Sequence, residues 1–212
     1  MSILKAGLLS VSLLMTGVCV SLLNMPIAQA QSSNEIALAQ KYANQFAAIK
    51  TMTGDFIQID GQNRQLQGRF FLERPGKIRF QYDNSARMRV ISDGKSIAIN
   101  NRKLNTWDLY QLSQTPLLFL LGNEIKITPE NLIRVEQTPV QTIIQLKDKS
   151  LGKGSISIVF DNQTNELVEW TVVDQQNNIT TVKIMNVRTG VQFEKGMFTI
   201  PYQNIAMQRK HN

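Results

Sequence analysis

Few side chains in this sequence could carry out catalytic chemistry. Its 212 residues contain one histidine, His211, and one cysteine, Cys19. A Ser-His-Asp triad and a histidine-based metal site both need an imidazole that is held in place. His211 is second from the C-terminus, where we expect a frayed tail. The sequence therefore predicts no catalytic triad, no metal site and no cofactor.

The acidic residues give no clearer sign of an enzyme. Asp55 with Asp60, and Glu73 with Asp83, are pairs that could share acid-base work. They are scattered singly along alternating segments, as solvent-facing residues are. Residues 94–96, Gly-Lys-Ser, resemble the end of a phosphate-binding loop, but the glycine that opens such a loop is absent. We interpret them as a hairpin turn and predict that the protein is not an enzyme.

The N-terminal segment has the three parts of a secretory signal peptide. Lys5 precedes an apolar run over residues 6–23, and Ala28 and Ala30 provide the small residues of a cleavage site. A transmembrane anchor is the alternative, because the run approaches the roughly 18 to 20 residues that span a bilayer. Asn24 and Pro26 end the apolar run, and no basic cluster follows them. We predict that residues 1–30 are a signal peptide removed after Ala30.

The remaining chain, residues 31–212, must fold without a disulfide, because Cys19 lies in the removed segment. Its length predicts one domain with a full core. Loss of Lys5 lowers the formal net charge from +7 to +6, spread over isolated lysines and arginines. Isolated charges of this kind are typical of solvated strand faces that favour solubility, although they could also attract anionic lipid head groups or acidic partners. No zinc-finger or RRM motif occurs, so we predict no nucleic-acid partner.

Hydrophobic periodicity predicts one helix followed by a mainly β domain. Apolar residues recur every three or four positions over residues 34–50, which indicates an amphipathic helix. From residue 53 onward the period changes to two. The predicted strands cover residues 65–73, 77–82, 87–92, 96–100, 105–110, 142–147, 155–160, 166–173 and 180–187. Short, evenly spaced strands of this kind indicate an antiparallel meander that curls into a sandwich or an open barrel.

A separate short helix is predicted over residues 115–122. Thr115 and Pro116 suit its N-cap and first turn, and Gly122 suits its end. Its central residues are apolar on every side: Leu117, Leu118, Phe119, Leu120 and Leu121. Such a helix either plugs one end of a barrel or covers an apolar cavity. Periodicity does not decide between the two.

Four stretches that follow the first helix carry a resemblance to a known family. They are Thr-Gly-Asp-Phe-Ile-Gln at 53–58, Gly-Arg-Phe-Phe-Leu-Glu-Arg-Pro-Gly-Lys-Ile-Arg-Phe-Gln-Tyr at 68–82, Val-Ile-Ser-Asp-Gly-Lys at 90–95 and Thr-Pro-Leu at 115–117. In this order the chain resembles the periplasmic outer-membrane lipoprotein carrier family, LolA, over nearly all of residues 31–212. The Arg-Pro-Gly-Lys stretch with its flanking strands is fairly specific.

The resemblance implies a mainly β (α+β) fold, an unclosed, curved antiparallel barrel with a helical lid over an apolar interior. In this family the interior accepts the acyl chains of lipoproteins. Members take this cargo from an inner-membrane ATP-driven exporter and hand it to an outer-membrane receptor. The chain is thus expected to be a monomeric carrier in the periplasm. By position, Arg74 matches the family's arginine, which hydrogen-bonds the lid backbone in the closed state and releases it on loading.

The strand pattern and the lid together give the acyl-chain site that we expect. Its wall is predicted from the alternation of the strands: Leu66, Phe70, Leu72, Ile78, Phe80 and Tyr82. The five apolar residues of the short helix would form the lid, and Arg74 would set the balance between closed and open states. Which of Phe70 and Phe71 faces inward stays open, because both faces of that strand are apolar there.

The chain departs from the family pattern at Ile78, Ala98 and Asn100, where aromatic residues are common. These departures bear on the shape of the cavity and on partner contacts. The alternative function is a carrier of other lipids, or an envelope-stress sensor that uses the same barrel to detect stray lipoproteins. A sensor usually carries a further partner-binding domain, for which residues 31–212 leave little room.

Overall fold

The computed structural model describes residues 27–83, 88–147 and 154–211. Most of the predicted signal peptide lies outside these ranges. Within them the helices are α1 (Ile27–Ala48), α2 (Leu117–Leu121) and α3 (Tyr202–His211), with a 3₁₀ turn at Leu112–Gln114. The strands are β1 (Thr51–Asp60), β2 (Gln65–Glu73), β3 (Lys77–Tyr82), β4 (Met88–Asp93), β5 (Ser96–Asn101), β6 (Thr106–Gln111), β7 (Leu132–Gln137), β8 (Gln141–Lys147), β9 (Ser155–Asp161), β10 (Leu167–Val173) and β11 (Ile179–Thr189). No helix in the described ranges has the length and apolarity needed to cross a membrane.

The strands form one antiparallel sheet that does not close. Its order from edge to edge is β6-β5-β4-β3-β2-β1-β11-β10-β9-β8-β7. The first and last strands of the chain, β1 and β11, pair in the middle of the sheet, and the chain crosses between the two edges through the 3₁₀ turn and α2. The predicted fold class, a mainly β, unclosed antiparallel barrel with few helices, is therefore confirmed.

The strands predicted from the period of two are found with small shifts at their ends. β2 and β3 have the predicted bounds, and the other predicted strands are shifted by one or two residues. The sequence pattern missed β1 and β7. In β1 a bulge between Thr53 and Asp55 shifts the pairing with β11. A bulge places two consecutive residues opposite one partner, so it interrupts the alternation on which the prediction depended.

Both ends of the described chain are more helical than expected. α1 begins at Ile27 and ends at Ala48, whereas the prediction was 34–50. Its first residues are mainly alanine and glutamine, which extend a helix readily. His211 was expected in a frayed tail, but it is the last residue of α3. This helix is anchored by Ile205, which is buried against the outer face of the sheet.

The inner face of the sheet and α1 share the main hydrophobic core. Tyr42 and Phe46 of α1 both pack against Phe160 of β9, with ring centroids 5.0 and 6.2 Å apart. Each large apolar side chain buried in this way contributes roughly 1.5–3 kcal/mol. The fully buried members of the core with the largest side chains include Met52, Phe56, Phe70, Leu72, Ile78, Leu120, Leu121, Ile144, Leu146, Ile156 and Phe160. Residues of α2 thus belong to the same core as the sheet.

The C-terminal segment covers part of the outer face of the sheet. Ile200 and Ile205 form a second, smaller cluster with Ile91 and Ala98. Ala98 is one of the positions where the resemblance leads us to expect an aromatic residue. Its side chain is fully buried under this segment, so a small residue there leaves room for Ile200 and Ile205.

Gly68 allows β2 and β3 to come unusually close. It lies between Phe56 of β1 and Tyr82 of β3, whose rings meet edge to face at 5.1 Å. A Cβ atom on Gly68 would lie 2.1 Å from the carbonyl oxygen of Gln81 and 2.8 Å from Cα of Tyr82. Backbone atoms cannot move aside as a flexible side chain can, so only glycine fits here.

We therefore expect Gly68→Ala to lower the free energy of unfolding by about 1–3 kcal/mol, the usual range for overpacking. Gly61→Ala is the matched control, because the nearest atoms to its Cβ would be 3.9 Å away. Urea unfolding followed by circular dichroism measures both variants. Equal midpoints for the two variants would contradict this description of the β2–β3 contact.

Candidate functional site

Arg74, at the end of β2, connects the sheet to two helix ends. Its side chain is buried, with 7% of its surface exposed. One terminal nitrogen, Nη1, donates to the carbonyl oxygens of Leu120 at 2.8 Å and Gly122 at 2.6 Å, at the end of α2. Nε donates to the carbonyl of Ile49 at 3.0 Å, and Nη2 to that of Phe46 at 3.4 Å, at the end of α1. The guanidinium also lies over the Phe46 ring, 4.4 Å from its centroid.

The surroundings of Arg74 compensate its charge with dipoles. The last carbonyls of a helix have no partner inside the helix and carry the negative end of its dipole. A guanidinium can therefore satisfy several of these carbonyls at once. Burial lowers the pKa of Arg74 to about 10, so the side chain is still charged at neutral pH. No carboxylate of the described residues lies within salt-bridge distance of it.

Other contacts hold the segment around α2 against α1 and the sheet. The amide of Gly76, in the β2–β3 turn, donates to the carbonyl of Leu121 at 2.8 Å. After α2, the side chain of Gln40 donates to the carbonyl of Ile125 and accepts from the amide of Ile127, both at 2.8 Å. Gln40 was not predicted, because a single glutamine on a helix gives no sequence signal of such a clamp.

The five apolar residues of α2 have different surroundings. Leu120 and Leu121 are fully buried in the main core. Leu117 and Phe119 are half-buried against it, and Leu118 is 40% exposed. α2 thus closes the interior with its two last leucines while part of its apolar surface faces solvent.

A cavity of about 470 Å³ lies between α2 and the inner face of the sheet. Of the predicted site residues, Phe80, Tyr82 and Leu117 line it. Its other lining residues are Gln58, Met88, Val90, Ile97, Ile99, Tyr110, Gln114, Thr115, Pro116, Trp170, Val172, Asp174, Gln175, Gln176, Asn178, Thr180 and Val182. Most of the wall is apolar, whereas the β10–β11 turn and the residues before α2 supply the polar part.

The remaining predicted wall residues lie deeper. Phe70, Leu72 and Ile78 are fully buried in the core, and Leu66 is partly buried against it. The structure also shows which phenylalanine of β2 faces inward. Phe70 is completely buried, whereas Phe71 is on the outer face, where its ring meets that of Phe193 at 6.0 Å.

Several cavity residues were missed because sequence reasoning drew the wall from β2 and β3 alone. Val90, Ile97, Trp170 and Val182 occupy inward positions of other predicted strands. The alternation in those strands could have identified their inward phase. It could not have shown which inward residues lie beside the cavity and which lie beneath α1.

Tyr82 and Gln58, two polar side chains that line the cavity, are hydrogen-bonded to each other. The hydroxyl of Tyr82 donates to Oε1 of Gln58 at 2.6 Å. Burial raises the pKa of Tyr82 well above its ordinary value, so the phenol is uncharged at neutral pH.

Asn100, the third position that departs from the family pattern, donates from its buried side chain to the carbonyl of Thr106. Among the described residues no group of three or more His, Cys, Asp or Glu is placed to hold a metal ion.

The sequence relatives of this chain share one protein name. Outer-membrane lipoprotein carrier protein from Legionella pneumophila (strain Corby) is 27% identical over 170 residues, which cover 76% of this chain and 83% of that protein. The protein of the same name from Methylococcus capsulatus is 27% identical over 161 residues, which cover 71% and 77%. Among solved structures, a LolA superfamily protein from Nitrosomonas europaea matches with a TM-score of 0.45 and 8% identity, covering 79% of this chain and 99% of the other.

The family model described as "Outer membrane lipoprotein carrier protein LolA" matches residues 47–201, which include all eleven strands and α2. This match extends over most of the chain and includes Arg74, the residues that line the cavity, and α2. The chain therefore belongs to the LolA family of outer-membrane lipoprotein carrier proteins.

Proposed function

We propose that this protein is a periplasmic carrier that binds the acyl chains of lipoproteins released from the inner membrane and delivers them to the outer membrane. The observation that carries the proposal is an apolar interior under a short helix whose end is fastened by one buried arginine. Family membership supports the same function. In this proposal the protein has no catalytic role and needs no cofactor.

The energetics of the lid suit reversible binding. Each acyl methylene removed from water is worth about 0.8 kcal/mol, so a multiply acylated protein does not cross the periplasm unaided. A hydrogen bond from a charged donor is worth only about 1.5–3 kcal/mol net. Burial of several methylenes therefore outweighs the loss of the bonds from Arg74 to Leu120 and Gly122. Lid opening can be driven by the cargo itself.

The open state would enlarge the binding site with residues that are now core. Leu120 and Leu121 are buried in the main core when the lid is closed. Their withdrawal would connect the cavity to the inner faces of Phe70, Leu72 and Ile78, which lie in the same core. In this way the whole predicted wall becomes available to acyl chains only after opening.

The proposal also includes a location and partners. Residues 1–30 would be removed after Ala30 on export, which leaves a monomer in the periplasm. An inner-membrane ATP-driven exporter would supply acylated lipoproteins, and an outer-membrane receptor would accept them. A binding site whose lid is held by Arg74 suits this sequence of partners. The exporter can load the carrier and the receptor can empty it, and the carrier itself consumes no energy.

The direct test adds purified residues 31–212 to spheroplasts of the native cell and follows newly made lipoproteins. We expect outer-membrane lipoproteins to appear in the soluble fraction in complex with the protein. A carrier of known activity serves as the control for the exporter. No release beside an active control would reject the carrier function and would favour a different lipid ligand or a stress sensor.

Arg74→Leu is expected to load but not to deliver. Without the bonds to the α2 carbonyls the closed state is less stable. Closing of the lid then no longer competes with bound cargo, so the cargo is not expelled. We expect loading in the spheroplast assay at the wild-type level or above, and transfer to outer-membrane vesicles at least tenfold slower. Arg102→Leu is the control, because Arg102 is exposed in the β5–β6 turn. Equal transfer by both variants would exclude Arg74 from the lid switch.

Phe80→Glu is expected to abolish loading. Phe80 lines the cavity and meets Phe56 edge to face at 4.9 Å, so a carboxylate there would be charged and poorly solvated against the acyl chains. Gln81→Glu on the exposed opposite face of β3 is the matched control and should load normally. Thermal unfolding shows whether each variant folds. A folded Phe80→Glu variant that loads as well as its control would place Phe80 outside the cargo site.

A further inference from the structure

The cavity is accessible while the lid is closed. Tyr110, Gln114, Gln176 and Asn178 line it and are themselves exposed, so it reaches solvent between the β10–β11 turn and the residues before α2. Leu120 is not among its lining residues and is fully buried elsewhere in the core. A ligand can therefore enter at this mouth without displacing the end of α2.

The size of the closed cavity fits one hydrocarbon chain. A methylene group takes up about as much room as a water molecule, on the order of 30 Å³, so a cavity of about 470 Å³ holds about 15 of them. Two or three acyl chains would need several hundred Å³ more. The closed cavity is therefore too small for a multiply acylated cargo but large enough for a single-chain lipid.

The wall and the mouth favour different parts of such a lipid. Val90, Ile99, Trp170 and Val182 give the interior an apolar surface, and Tyr82 and Gln58 in the wall are already hydrogen-bonded to each other. An alkyl chain can therefore lie against this wall without breaking that hydrogen bond.

The charge at the mouth selects against an anionic head group. Asp174 is the one carboxylate among the lining residues, and these residues, all within the described chain, include no lysine or arginine. Its oxygens accept from the amides of Gln176 and Asn178 and from the side chain of Asn178, which fixes the negative charge at the β10–β11 turn. The exposed side-chain amides of Gln114 and Gln176 can bind hydroxyl or ester groups.

We propose that the closed protein binds one single-chain lipid with an uncharged head group, such as a monoacylglycerol, without opening its lid. This inference rests on the proposed carrier function, because the same apolar wall would hold acyl chains of the cargo. It gives the resting carrier a ligand of its own that must leave, or be displaced, when a lipoprotein is loaded.

Binding is tested with Trp170 as the reporter. In a Trp107→Phe background Trp170 is the one remaining tryptophan, and it lines the cavity. A monoacylglycerol with a dibrominated chain should quench its fluorescence and saturate at one lipid per protein. Absence of quenching, or saturation at two or three lipids, would overturn the proposal. The corresponding brominated fatty acid should bind at least tenfold more weakly at neutral pH, and equal binding would overturn the assignment of the head group.

Two pairs of substitutions, one inside the cavity and one outside it, test whether the cavity is the binding site. Ile99→Phe combined with Val172→Phe adds bulk to two lining residues and should weaken binding at least tenfold. Ile143→Phe combined with Val173→Phe adds the same bulk at half-buried residues that do not line the cavity and should leave binding within twofold of wild type. Circular dichroism confirms that both proteins fold. Equal affinity in the two pairs would show that the lipid binds elsewhere.

The closed lid is tested by hydrogen exchange in the wild-type protein. Because entry does not require the end of α2 to move, saturating brominated monoacylglycerol should leave exchange at the amide of Gly76, which donates to the carbonyl of Leu121, within twofold of that in the free protein. Exchange more than tenfold faster in the complex would show that the lid opens on binding, and would overturn this part of the proposal. Lipoprotein release without monoacylglycerol binding would reject this inference alone. Monoacylglycerol binding without lipoprotein release would reject the carrier function and retain the lipid site.

Discussion

The buried guanidinium of Arg74 is the interaction that joins the ends of β2, α1 and α2 in this structure. A charged group removed from water needs acceptors, and at this position they come from the carbonyls of Phe46, Ile49, Leu120 and Gly122. The end of β2, the end of α1 and the end of α2 must therefore meet at one point. This junction lies where the chain crosses between the two edges of an unclosed sheet. Fastening α2 there covers an interior that the sheet alone leaves open.

In the proposed mechanism, the same apolar surface is core when the lid is closed and binding site when it is open. In the closed state Leu120 and Leu121 are fully buried, and each contributes roughly 1.5–3 kcal/mol. In the proposed mechanism, opening would give up that burial together with the bonds of Arg74, which would keep the empty protein closed. A long acyl chain would bury enough methylenes, at about 0.8 kcal/mol each, to offset both losses. The balance between the two states would then depend on the cargo, and Arg74 would set where it lies.

The sequence predicted nine of the eleven strands that the structure describes, but not the shape of the interior. The alternation of apolar and polar residues predicted both ends of β2 and of β3 correctly. The bulge between Thr53 and Asp55 concealed β1. Periodicity left Phe70 and Phe71 undecided, because the outer face of β2 is also apolar where Phe193 packs on it. The cavity takes its walls from strands distant in sequence: Trp170 of β10 meets Phe80 of β3, with ring centroids 6.2 Å apart. The two halves of the sheet are brought together by the pairing of β1 with β11 and by the curvature of the sheet, which no local pattern encodes.

Hydrogen exchange at the amide of Gly76 tests most directly whether Arg74 holds the lid closed. This amide donates to the carbonyl of Leu121, so its exchange reports when the end of α2 leaves the β2–β3 turn. In Arg74→Leu we expect exchange at Gly76 to be at least tenfold faster than in the wild type, while the amide of Phe80 within β3 keeps its protection. Unchanged protection at Gly76 in a folded variant would contradict the central role assigned to Arg74.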